Sequence, residues 1–244
     1  MNTNPNHRIG IYASLLLITG IVLSGPLGLV VVTMLHPQPA WQDAQTQAAN
    51  YHPIQVLPFF GGFLLVIGSG LLIATLYQLS AEKDKAVALL AVVCTAAFTS
   101  LIFFNYICQT TFIPALLTNY RPEYATIVTT FSFANPGSLC WAMEMWGYAL
   151  LGLATLLLAP VFNRSSWIEK TTAWLMILNG ILSIVGGFIT ATNLAWVMTP
   201  AGLTNYVVWN ILVVVLSTFV ILALSQREQQ LRAPAAAAGL SQSA

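Results

Sequence analysis

The chain has 244 residues, of which 57% are hydrophobic and only 6% charged, with a formal net charge of +1 and a mean hydropathy of +0.78. A soluble domain carries roughly 25% charged residues; this chain has too few to coat a globule, so lipid must cover most of it. The same scarcity leaves no basic patch for nucleic acid.

The polar start MNTNPNHR leads into an apolar run at 9–33. That run is longer than the apolar region of a secretory signal and is not closed by a small-x-small cleavage site. It reads as a first transmembrane helix, bent at Ser24-Gly25-Pro26 because Pro26 has no backbone N–H. A polar connection between His36 and His52 follows, without Lys or Arg. The second run, 53–79, carries Gly61, Gly62, Gly68 and Gly70, small residues that let a neighbouring helix approach closely. After the charged loop SAEKDK comes a third run, 86–113, expected to stop at Pro114. The segment 116–139 contains a candidate interfacial helix with Pro122 in its first turn. The fourth run is 140–162 and the fifth 172–198. Thr199-Pro200-Ala201-Gly202 reads as a tight turn into the sixth run, 205–225. A polar, then Ala-rich tail at 226–244 is expected to be disordered and cytoplasmic.

Each run reaches the roughly 20 residues that cross a bilayer. The expected fold is therefore all-α, a polytopic transmembrane bundle of six helices in one domain. If the six alternate in direction, Arg8, Lys83, Lys85, Arg164, Lys170, Arg227 and Arg232 share one side, and Arg121 alone falls on the other. Basic residues accumulate on the cytoplasmic side, so both termini are expected there.

Glu144 is the one ionisable side chain expected inside the membrane, roughly 6 Å below the outer end of the fourth helix at about 1.5 Å per residue. Hydrocarbon does not solvate such a group, which makes it a candidate functional site. Without a Lys or Arg at its depth, it must be held by a proton or by donors from Asn, Gln or Tyr. The third helix brings Asn105, Tyr106 and Gln109 to the same level, the fifth Asn193 and the sixth Asn210. Two readings follow: interhelical hydrogen bonding, or an outward-facing polar cavity binding a small molecule or cation at Glu144. Glu144, Asn105, Gln109, Tyr106, Asn193 and Asn210 are the candidate ligand-binding residues.

No catalytic or metal-ligating set stands out. A retinal Schiff base needs an intramembrane Lys, and haem or zinc needs several ligands at depth, but His7, His36 and His52 all fall outside the runs. A serine nucleophile would lack a His base within any span. No cofactor is expected. Cys94, Cys108 and Cys140 read as buried thiols, with a Cys108–Cys140 bridge as the alternative.

From Gly147 onward, GYALLGLATLLLAPVFNRSSWIEKTTAWLMILNGILSIVGG has a Gly-Tyr-x-Leu-x-Gly helix and a short basic loop. A helix containing Leu178, Gly180, Gly186 and Gly187 then follows. This stretch resembles small bacterial six-helix membrane proteins grouped as domain-of-unknown-function 4386. The resemblance implies a bacterial inner-membrane protein with no established activity and no catalytic residue to carry over. The alternative to a binding or transport protein is a non-catalytic membrane component. It would join partner helices, or a second copy of itself, through the Gly-rich faces of the second and fifth helices.

Overall fold

A computed structural model describes residues 4–162 and 166–241, with side chains to Arg232. The protein is 88% helical, without a strand among the described residues. Six helices are long and apolar enough to cross a membrane: α1 (Pro5–Leu35), α2 (Pro53–Leu79), α3 (Glu82–Thr118), α4 (Leu139–Phe162), α5 (Trp167–Thr192) and α6 (Pro200–Arg232). The protein is a polytopic helical membrane bundle. Its outward surface carries Met34, Trp174, Phe188 and Ile211, each at least 60% exposed, as a lipid-facing surface requires.

Consecutive helices pack as neighbours, and α6 returns to α1, so the six form a closed ring. Neighbours run antiparallel. Gly20 lies against Leu65 and Gly68 against Leu17 across α1–α2; Ile102 meets Gly147 across α3–α4; Gly180 meets Leu156 across α4–α5. Glycine is required where backbones come this close: a Cβ at Gly20 would stand 2.2 Å from the Leu65 nitrogen. The glycines of α2 and α5 are thus largely consumed within the chain, although Gly70 faces open space.

Several boundaries differ from the sequence reading for identifiable reasons. The bend in α1 falls at Gly25, within the expected Ser24-Gly25-Pro26, but the helix then resumes to Leu35 rather than ending at Thr33. α3 does not stop at Pro114. A π-turn at Cys108–Phe112, in which the Ile113 N–H bonds the Cys108 carbonyl, absorbs the missing donor, and the helix continues to Thr118. α5 begins earlier, because Ser166 caps it by accepting from the Glu169 N–H, and it ends at Thr192. The expected turn at Thr199–Gly202 is instead the start of α6: the Thr199 hydroxyl accepts from the Gly202 N–H, and Pro200 takes the first helical position. The helix does not end at Ser225 but runs on to Ser241, so most of the expected disordered tail is helical, and residues 242–244 lie outside the described residues.

Two polar connections fold over one end of the ring. A short helix, Ala44–Ala49, packs beside Ala125–Phe131, which follows a turn opened by Pro122 as expected. Ala44, Ile113, Leu117 and Val128 form a small core between them. His36 and His52 stack face to face at 3.5 Å. This cap reaches α3 through Gln109, which donates to the Phe131 carbonyl.

Candidate functional site

Glu144 sits in the first turns of α4 and is only 8% exposed. The spacing of Asn105 and Gln109, four residues apart, sets both amides on one face of α3. That face meets the Glu144 face of α4. Asn105 Nδ2 donates to Glu144 Oε2 at 2.8 Å, and Tyr106 Oη donates to Oε1 at 3.1 Å. Gln109 Nε2 donates to Asn105 Oδ1 at 3.2 Å. Behind Tyr106, its hydroxyl lies 3.3 Å from that of Tyr148.

Tyr106 has one hydroxyl hydrogen, which points at the carboxyl, so Tyr148 must donate to Tyr106. Two hydrogen-bond chains then converge on one carboxylate: Gln109 through Asn105, and Tyr148 through Tyr106. Every donor is oriented for an acceptor carrying negative charge. Gly62 makes room for this arrangement; a Cβ there would stand 2.3 Å from the Tyr106 ring.

The site is closed toward the cap. Gln109 also donates to the Phe131 carbonyl at 2.9 Å and accepts from the Phe133 N–H at 2.8 Å. Trp141 Nε1 donates to the Phe133 carbonyl at 2.7 Å, and the two rings stack at 3.9 Å. Phe133 therefore packs over the outer end of the α3–α4 contact, against Phe59 of α2 and Trp141 of α4. Two cavities among the described residues lie elsewhere, one in the cap and one deeper in the ring, and neither of these is lined by Glu144, Asn105 or Gln109.

Four of the six candidates, Glu144, Asn105, Tyr106 and Gln109, come together. Asn193 does not join them: it is exposed and ends α5, its N–H bonding the Ile189 carbonyl. Asn210 Nδ2 bonds the Tyr206 carbonyl at 2.7 Å and sits at the Gly25 bend of α1. Depth alone suggested both, without regard to which way each faced.

Tyr148 was missed, although it lies four residues after Glu144 and so on the same face. Burial of ionisable groups is not confined to Glu144. At the opposite end, Arg227 and Glu169 are 7% and 4% exposed and pair at 2.6 Å. Cys94, Cys108 and Cys140 are free and buried. No grouping of three or more His, Cys, Asp or Glu suited to a metal occurs among the described residues.

No family model, curated protein or solved structure matches the chain. Fold and site together define a multi-pass helical membrane protein with a buried, amide- and phenol-held carboxyl group.

Proposed function

We propose that the protein binds a small cationic or amine-bearing solute at Glu144, reached from the outer face when the Phe131–Phe133 segment lifts. The supporting observation is the carboxylate itself. It is buried at membrane depth, all its donors are neutral, and no Lys or Arg pairs with it among the described residues. Such a group is expensive in a membrane and marks ion or substrate sites. A cation or a proton is the partner it lacks. Transport follows if the same carboxyl is reached alternately from the two faces.

The competing reading, a scaffold that joins partners or a second copy through its glycine faces, is weakened by how those glycines are used. Gly61, Gly62, Gly68, Gly180 and Gly187 all contact the chain's own helices.

In this reading both termini lie in the cytoplasm of a bacterium and the bundle spans its inner membrane. The support is the gathering of Arg8, Lys83, Lys85, Lys170, Arg227 and Arg232 at one end of the alternating helices, with Arg121 opposite. Arg164 belongs to that basic set by sequence but lies outside the described residues. The resemblance of the Gly147 stretch to domain-of-unknown-function 4386 points the same way.

The test is a thermal-shift titration of the purified protein with sodium, potassium and methylammonium chlorides at matched ionic strength, with Glu144→Gln under the same salts as the control. Stabilisation by one of the three that vanishes in Glu144→Gln, with the fold retained, supports the reading. No stabilisation in the wild type, or an equal one in Glu144→Gln, removes it.

A further inference from the structure

Inside the ring, on the far side of Tyr148 from Glu144, lies a cavity of about 30 Å³ walled by α1, α2, α4, α5 and α6. Most of its lining is apolar, but Asn179, Thr155, Ser69, Ser217 and Trp209 also face it. Asn179 stands near the middle of α5 and is 2% exposed.

The orientation of the Asn179 amide follows from its neighbour. The Thr155 hydroxyl has one hydrogen, and it donates to the Gly152 carbonyl at 2.8 Å. Thr155 can then only accept from Asn179, so Nδ2 faces it at 3.0 Å. Oδ1 is left on the cavity wall, buried and without a protein donor. An amide oxygen stranded in an apolar interior costs about 1–3 kcal/mol, and flipping the Asn179 amide would strand its nitrogen instead.

We propose that this cavity is a hydration site in the middle of the membrane, with Asn179 Oδ1 as its principal acceptor. Its volume matches about two waters, each of which needs roughly 10–15 Å³ of such space and two to four polar partners. Besides Oδ1, the oxygens of Ser69, Thr155 and Ser217 supply those partners. Ser69 spends its hydrogen on the Leu65 carbonyl, so its oxygen keeps lone pairs for water. A wholly apolar cavity of this size would stay dry; this one is not wholly apolar.

The hydration is independent of any role for Glu144. Glu144, Tyr148, Leu151 and Thr155 do share one face of α4, however, at spacings of four, three and four. Where a proton or small polar solute leaves Glu144 inward, the hydrated cavity is the next polar position on that face beyond Tyr148, a use that rests on the function proposed above.

Radiolytic hydroxyl-radical labelling of the full-length protein tests the hydration, because radicals form from water at the place where it is bound. Met176 lines the cavity and is 2% exposed, so bulk water does not reach it. The expected result is prompt oxidation of Met176 in the wild type, falling severalfold in Asn179→Leu. No oxidation of wild-type Met176, or oxidation undiminished in the variant, overturns the proposal. Should Asn179→Leu fail to fold, wild-type crystals under xenon decide. Ordered water within hydrogen-bond reach of Oδ1 supports the site, and a xenon peak in its place shows the cavity to be dry.

Discussion

Asn105 and Glu144, on adjoining helices, meet at 2.8 Å, and Asn105 is completely buried. The amide satisfies three partners at once: it donates to the carboxyl and to the Cys140 carbonyl and accepts from Gln109. Replacing it by Leu leaves the carboxylate with Tyr106 alone. Since hydrogen bonds to charged groups contribute about 1.5–3 kcal/mol, Asn105→Leu is expected to destabilise by that amount. Replacing both members of a pair by apolar groups is much gentler than removing one. Asn105→Leu/Glu144→Leu should therefore recover much of the loss, as read by unfolding in mixed micelles. A double variant less stable than either single one would show that the pair is not what holds α3 to α4.

The glycines separate into two kinds that one residue scan can tell apart. At Gly20 a methyl group would meet the Leu65 nitrogen at 2.2 Å and its Cα at 2.6 Å, both backbone atoms that cannot turn aside. Overpacking of this sort costs about 1–3 kcal/mol, so Gly20→Ala should lower the melting temperature clearly. Gly70 has nothing within 4 Å of the corresponding position. There Gly70→Ala should be neutral or stabilising by up to about 1 kcal/mol, the helix-propensity difference. The contrast would be lost if α1 and α2 were able to separate freely.

How much of this could be read from the residues depends on the kind of signal. The six spans follow from apolar length, and α2 matches its expected limits, 53–79, because Pro53 and the polar loop after Leu79 punctuate it on both sides. Boundaries shifted where a proline was taken as a stop. Pro114 is carried by a π-turn and Pro200 opens a helix, and in each case the deciding hydrogen bond comes from a neighbour that composition does not reveal. The Glu144 cluster was legible where helical periodicity linked Asn105 to Gln109. Asn193 and Asn210 make no direct contact with Glu144, because depth says nothing about direction. The Phe133–Gln109 contact and the Arg227–Glu169 pair were hidden, since both join residues far apart in the chain.

In the cap, Asp43 receives the Thr46 N–H at 2.6 Å, and that backbone hydrogen bond holds its carboxyl below the ordinary value of 3.8. A depressed value means the capping contribution is complete above the unfolded-state value and fades as the pH falls through the lower, folded one. The Thr46 amide resonance should therefore stay constant down to about pH 4 and move only in stronger acid. In Asp43→Asn that acid-dependent movement should disappear while the helix Ala44–Ala49 persists, because Asn also caps. Movement of the same size in the Asn variant would assign it to another group.

At the opposite end of the bundle two ion pairs differ in burial and should differ in response to salt. Arg227 Nε bonds Glu169 at 2.6 Å, and its Nη2 bonds the Val161 carbonyl at 2.7 Å, with both charged side chains under 10% exposed. Arg8 reaches Glu228 at 3.0 Å but is half exposed, and Arg232 shares the same carboxylate. Breaking a buried pair by removing one partner costs about 3–5 kcal/mol because the other charge is left stranded. Arg227→Met should therefore be severely destabilising, and Arg227→Met/Glu169→Leu should restore most of the stability. Exposed pairs contribute about 0–1 kcal/mol, so Arg8→Ala should be mild. Its effect should also fade between low salt and 1 M salt, where the screening length shrinks to about 3 Å. The Arg227→Met penalty should persist across that range, since the pair tying α6 to α5 is sheltered from mobile ions. A penalty that faded in step with that of Arg8→Ala would mean solvent reaches Arg227 and that the α5–α6 contact opens at this end.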